Sequence, residues 1–366
     1  MQVPFVNPGL QYQKLKNEIL NKFDEISSKG NYILGDEVTK FEKNFADYCG
    51  TRYAIGVGNG SDALFFSLLA LDISEGDEVI TVPNSFVATA WAIANVGAKL
   101  VFVDVGDDFN INTDLIVNAV SSKTKAILPV HLTGRIADME KIQDIATKHK
   151  LHVIEDAAQA VGATYRDKKS GSFGDTGCFS LHALKNLHVH GDGGIVTTND
   201  EALYQKIIKM RNHGLKNRNE CEFWGWNSRL DEIHAAIANL KLDYLDDWNR
   251  RFRKIASWYI NELGGLVQTP SVKDHEQPVF HRFMIQHERR DKLQAFLEEQ
   301  QIQTAVNYPI PLHLQEAAQY LGYKKGDFPV AEEQAKSILS LPLYSELEDS
   351  QVEYVIATIK KFIHNT

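Results

Sequence analysis

The sequence predicts an α/β protein: a large domain built on a mostly parallel sheet, followed by a smaller α+β unit. Three observations predict it. Between about residues 53 and 198, short β-rich runs alternate with amphipathic or apolar stretches of helical length, the rhythm of parallel strands joined by helices. Some runs, such as Ala126-Ile-Leu-Pro-Val130, are almost wholly apolar, as strands covered on both faces are. Beyond about Leu266 the texture changes to one strand-like run among longer helical ones.

In chain order, a helix is expected over residues 12–26. Strands are expected at 53–57, 78–82, 100–105, 125–130, 152–156, 177–181 and 194–198, with helices at 61–71, 87–95 and 136–149 among them. Ile233, Ile237, Leu240 and Tyr244 share one helix face. That pattern, continued through the charged run Asp246-Asp247-Trp248-Asn249-Arg250-Arg251, predicts one long helix bridging the two units. The division expected is a large domain over residues 1–248 and a small one over 249–366, the latter with a strand at 280–285 and helices at 289–300, 330–340 and 349–362.

Composition removes several classes of function. With 39 Lys plus Arg against 48 Asp plus Glu, the net charge is −9, opposed to a nucleic-acid partner, which is held mainly by cations on phosphates. No run approaches the about 20 apolar residues that span a bilayer, and the opening Met-Gln-Val-Pro-Phe-Val-Asn-Pro lacks signal-peptide character. Cys49, Cys178 and Cys221 lie far apart without CxxC spacing, which suits a reducing compartment and neither a disulfide framework nor a zinc site. A cytoplasmic protein, with no membrane and no metal, is expected.

Four segments carry chemistry. In Gly56-Val-Gly-Asn-Gly60-Ser61-Asp62, a strand passes into a helix through three glycines, so backbone can approach a ligand and the helix start can attract phosphate. The dinucleotide fingerprint fails, because Ser61 stands where its last glycine belongs; a tight turn with Ser61 as helix cap is the plain alternative. In Val153-Ile-Glu-Asp156-Ala-Ala-Gln159, a carboxylate ends an apolar strand, where open α/β sheets bind ligands; capping of the next turn is the alternative. Lys185 lies between a strand and the Gly-rich Gly191-Asp-Gly-Gly194. A lysine withdrawn from water has the lowered pKa that imine chemistry needs, and a lysine reaching out from a loop is the alternative. The neighbouring His182, His188 and His190 invite a metal, but an alternating His pair on a strand lacks further ligands nearby in sequence. In Gly225-Trp-Asn227-Ser228-Arg229-Leu230-Asp231, Asn227 or Arg229 can meet an anion and Asp231 can open the following helix.

These segments, in this order, resemble the DegT/DnrJ/EryC1/StrS family of sugar aminotransferases. The resemblance extends over nearly the whole chain, from Val3-Pro-Phe-Val and Tyr32-Ile-Leu-Gly35 through Val130-His-Leu-Thr-Gly134, Ala137-Asp-Met139 and Asn212-His-Gly214 to Tyr308-Pro-Ile-Pro-Leu-His-Leu-Gln315 and Leu339-Ser-Leu-Pro342. It implies a fold-type I architecture like that of aspartate aminotransferase, with pyridoxal 5′-phosphate as cofactor and its pyridoxamine form between two half-reactions. Lys185 then matches the lysine bonded to the cofactor, Asp156 the partner of the ring nitrogen, and Gln159 the side chain near the phenolic oxygen. Ser61, Asp62 and Ser180 match the phosphate cradle, and Phe86 the ring stacked on the cofactor. Asn227 matches an asparagine that reaches the phosphate of a neighbouring subunit, which implies a homodimer with shared active sites. The expected donor is an amino acid, L-glutamate, and the acceptor a nucleotide-linked keto-deoxysugar.

For the acceptor, Tyr308 and His313 are expected to close the pocket, and Lys216, Arg218 and Arg229 to meet the diphosphate. After Lys185 the sequence departs from the small residues of many relatives. His188 is therefore a candidate for the sugar pocket, while His190 is read as filling space. The alternatives are a dehydratase of the same family, which carries histidine in place of the lysine, a regulator without turnover, and a nicotinamide-dependent oxidoreductase, which the failed fingerprint opposes.

Overall fold

A computed structural model describes residues 1–364. Seven strands form its main sheet: Tyr53–Val57 (β1), Glu78–Thr81 (β2), Lys99–Phe102 (β3), Thr124–Ile127 (β4), His152–Asp156 (β5), Thr176–Ser180 (β6) and Gly194–Thr198 (β7). Their order in space is β1-β7-β6-β5-β4-β2-β3. The pairs among β2 to β6 are parallel, while β7 runs antiparallel to both neighbours. Ile55, Val79, Ile80, Ile127, Ile154, Phe179 and Ile195 are fully buried, so successive residues find cover on both faces, as the continuous apolar runs require. Helices including Asp36–Cys49, Gly60–Ala70 and Met139–His149 provide that cover.

A second core lies beyond this sheet. Phe252, Ile255, Tyr259 and Leu263 form one face of the helix Leu245–Leu263. They pack with Phe283 and Leu341 of an antiparallel strand pair, Phe283–Gln286 with Ile338–Leu341, and with Val355 and Ile359 of the last helix, Asp349–His364. Val3 joins this core. Its N–H donates to Gln301 O (2.9 Å) and its carbonyl accepts from Gln303 N (2.9 Å), which stitches the first residues of the chain to the second unit. The N-terminal helix, Pro8–Lys29, instead lays Leu15 and Ile19 on Ile237.

Two expectations are corrected. The long bridging helix is two helices, Glu232–Leu242 and Leu245–Leu263. The break lets each half serve a different core: Ile237 faces the N-terminal helix, whereas Phe252 and Ile255 face the second core. Residues 338–340 are strand rather than helix, because Ile338-Leu-Ser-Leu341 pairs with residues 283–286. Among the described residues, no helix is long and apolar enough to cross a membrane.

Candidate active site

Loops at the carboxyl ends of β1, β2, β4, β5 and β6 converge on a cavity of about 310 Å³, the end of the sheet at which open α/β proteins bind ligands. Ser61, Phe86, Asp156, Gln159, Ser180, Lys185 and Tyr308 line it together.

Asp156 closes β5 and is buried. Its Oδ2 accepts from Thr89 Oγ1 (2.7 Å) and its Oδ1 from Ala158 N (3.3 Å). Burial pushes this carboxyl above its ordinary range, against those two donors and the charge of Lys185. Lys185 moves the other way. Loss of water, helped by the charge of Arg282 and opposed by Asp156, lowers its ammonium to about 8. The backbone beside it is fixed by Asn186, whose amide nitrogen donates to Asn249 Oδ1 (3.1 Å) and Val279 O (3.2 Å). The lysine is therefore anchored to both units of the chain.

At the other side of the cavity, the helix Gly60–Ala70 begins. Asn59 is its cap, with Oδ1 accepting from Asp62 N (2.8 Å). Ser61 is thus not the cap, and its hydroxyl is left to line the cavity. A Cβ on Gly60 would lie 2.8 Å from Ser180 Cβ, so glycine here is what lets the helix start lie against Ser180. Two hydroxyls beside exposed helix N–H groups form a cradle suited to a phosphate. Asp62 departs from expectation. Its N–H is committed to Asn59 and its Oδ2 accepts from Ser228 Oγ (2.6 Å) and Asn59 Nδ2 (3.0 Å). It clamps the 228 loop to the helix start and lines an adjoining groove rather than the cavity.

Gln159 is oriented by the Thr133 N–H, which donates to its Oε1 (2.7 Å) and leaves the amide nitrogen toward Tyr308 (3.5 Å). Thr133 takes a φ of 61° to make that turn. The exposed Phe86 ring sits 5.8 Å from the ring of Tyr308, so two aromatics wall the cavity.

Other candidates stand elsewhere. Asn227 is exposed and its backbone bridges to Asn212. Arg229 donates to Asn212 Oδ1 (2.9 Å), Lys216 faces Glu222 at 4.0 Å, and Arg218 is exposed. None of these lines the cavity. His313 is buried outside it, paired with Glu332 Oε1 (3.1 Å) and packed edge-on to Phe328. His188 turns away: its Nδ1 meets Lys185 O (2.9 Å), and burial lowers it to about 3. His188 and His190 lie in a loop, not on a strand, and His190 packs on Tyr12. Asp231 precedes its helix without a side-chain capping bond.

Several lining residues went unread in the sequence: Thr89, Asp192, His281, Arg282 and Asn307. Thr89 had a signal, in the first turn of the helix that Phe86 precedes. Arg282 had none, since nothing in its spacing ties it to Lys185.

A buried acid shares one cavity with a lysine that burial lowers to about 8, between two hydroxyls at a helix start and two aromatic rings. The chain belongs to the DegT/DnrJ/EryC1/StrS aminotransferase family, which matches residues 13–360. It is 47% identical over 367 residues to a "Pleiotropic regulatory protein" of Geobacillus stearothermophilus, covering 99% of each chain. It is 41% identical over 362 residues to the dTDP-3-amino-3,6-dideoxy-alpha-D-galactopyranose transaminase of Aneurinibacillus thermoaerophilus, covering 98% of this chain and 99% of that one. The structure of S. venezuelae DesV in complex with a ketimine intermediate superposes with a TM-score of 0.98 at 38% identity, over 100% of this chain and 99% of that one. The expected family and fold are thereby established.

Proposed function

We propose that the chain is a pyridoxal 5′-phosphate-dependent aminotransferase that moves an amino group from L-glutamate to a nucleotide-linked keto-deoxysugar. The observation that carries this reading is the pairing of Lys185 and Asp156 in one cavity, with the Ser61–Ser180 cradle beside them. The bound cofactor supplies a carbonyl that takes up the amino group and a ring that accepts electrons.

The chain's own residues have separable tasks. Ser61, Ser180 and the helix start would hold the phosphate. Asp156, an acid that burial alone leaves reluctant to ionise, becomes anionic opposite a protonated ring nitrogen and keeps that proton in place. Gln159, whose amide nitrogen is free of the Thr133 contact, would stand near the phenolic oxygen. Lys185 Nζ, lowered to about 8, can take up and return a proton near neutral pH, as a general acid–base must. Phe86 and Tyr308 would wall the cofactor ring.

The reading includes a cytoplasmic homodimer. Asn227, exposed on its own chain, would serve the neighbouring subunit's phosphate. Phe86, Val87, Trp91 and Tyr320 form an exposed apolar face beside the cavity, suited to a second copy. The three cysteines are free, consistent with a reducing compartment. The two-domain division at residue 248 belongs to the same reading, supported by the separate core gathered from Phe252 to Phe362, which Val3 alone joins from the first 248 residues as a buried member.

A regulator without turnover is the second reading, favoured by the name of the Geobacillus relative. Incubation with L-glutamate and a panel of nucleotide keto-sugars, followed by mass spectrometry, separates the two. An amino-sugar nucleotide is expected; its absence across the panel, with cofactor bound, would favour the regulator.

A further inference from the structure

Arg282 lines the cavity with Lys185, Asn307 and Tyr308, and the chemistry above leaves it without a task. Its Nη1 donates to the carbonyl of His281 (3.0 Å). Among the described residues it forms no ion pair, whereas Arg135 meets Glu276 at 2.7 Å and Arg211 meets Glu42. A largely desolvated guanidinium without an anion is costly, and its planar fork matches a carboxylate or a phosphate oxygen pair.

The guanidinium is also held in place from behind. Its carbon lies 5.1 Å from the centre of the Phe5 ring, a cation–π contact. Phe5 is fixed in turn, its N–H donating to Gln303 Oε1 (3.1 Å), next to the Val3 pairing with Gln301 and Gln303. The first residues of the chain thus reach the cavity through one arginine.

Two anions must enter such a site: the donor's carboxylate and the acceptor's diphosphate. They differ in distance from the reacting atoms. An amino acid carries its α-carboxylate one bond from the carbon that changes, whereas a nucleotide diphosphate is separated from its keto carbon by part of a sugar ring. Arg282 lies close enough to Lys185 for its charge to help lower that lysine. That position suits the nearer anion.

We propose that Arg282, seated on Phe5, binds the α-carboxylate of the amino-acid donor. The proposal rests on the aminotransferase reading. Glutarate, a dicarboxylate without an amine, provides a test independent of turnover when titrated by calorimetry into the cofactor-loaded protein, whose phosphate cradle is then filled. Arg282→Gln should weaken glutarate, and L-glutamate in the first half-reaction, by roughly 10–100-fold, the size of a charge-assisted hydrogen-bond pair. Arg282→Lys should recover part of the loss. Phe5→Ala should weaken both by roughly threefold to tenfold, and KM for the sugar nucleotide should stay within about twofold in every variant. Unchanged glutarate and glutamate binding in Arg282→Gln would overturn the proposal, as would a raised KM for the sugar nucleotide alone, which would assign Arg282 to the diphosphate. A wild type that binds glutarate through Arg282 but transfers no amino group would overturn the aminotransferase reading and the donor assignment with it. A wild type that transfers the amino group while Arg282→Gln behaves like it would overturn the Arg282 assignment alone.

Discussion

Lys185 and Lys241 are both stripped of water, and their surroundings differ in what they permit. Lys185 is lowered to about 8 and opens on the cavity with Asp156 and the Ser61–Ser180 cradle. Lys241, on the helix Glu232–Leu242, is fully buried, lowered to about 7, and its Nζ has no hydrogen-bond partner among the described residues. Glu346 opposes that lowering only through its charge. Desolvation lowers a lysine's pKa and so frees the neutral amine that chemistry needs, but without a cavity it makes only a cost.

The comparison breaks most sharply at the catalytic step. Lys185→Ala should abolish multiple turnover of amino transfer while the protein stays folded, because both the covalent attachment and the proton carrier are lost. Lys241→Met should keep turnover, and the reverse pattern in a sugar-nucleotide assay would exchange the roles assigned to the two lysines. Asp156→Asn tests whether the acid partner distinguishes the Lys185 site. An amide cannot keep the ring nitrogen protonated, so a rate loss greater than about tenfold, about 1.4 kcal/mol of barrier, is expected in steady-state assays. A smaller loss would count against that role.

Subunit mixing sharpens the comparison further. Inactive Lys185→Ala and impaired Asn227→Ala chains, once exchanged, should regain part of the wild-type rate, since one site of each heterodimer is then intact. Absence of recovery after proven exchange would place Asn227 within its own chain's site or outside both.

The smallest effect on turnover comes with one on stability. Lys241→Met should stabilise the fold at pH 6 by several kcal/mol, because the lysine is then an unpaired buried charge. The sign follows from linkage. Lys241 titrates near 7 when folded, against an ordinary 10.5, so between those values the unfolded chain holds the extra proton and wild-type stability rises with pH. The advantage of the variant should therefore be full below about pH 7 and shrink toward pH 10.5. Denaturant unfolding at several pH values measures it, and a pH-independent difference would contradict the assignment.

Much of this site was legible in the sequence, for a physical reason. Asp156 and Ser180 end strands and Lys185 lies five residues beyond one, so their placement is set by local structure that apolar runs announce. The same runs located the strands β1, β5 and β7. Asn59 displaced Ser61 as helix cap because both can accept from the first turn, and only geometry decides between them. His313 and His188 each commit a ring nitrogen inside the fold, to Glu332 and to the carbonyl of Lys185, a use that spacing does not distinguish from binding. The helix Asp36–Cys49 was legible but unread: Val38, Phe41, Phe45 and Cys49 share one face. Arg282 and Phe5 are brought together from far apart in the chain, and no local pattern records that.

Borohydride reduction of the cofactor-loaded protein, followed by peptide mapping, tests the central claim most directly. The account predicts pyridoxyl modification of Lys185, none at Lys241, and none anywhere in Lys185→Ala. Modification of Lys241, or of neither lysine in protein that holds its cofactor, would contradict it.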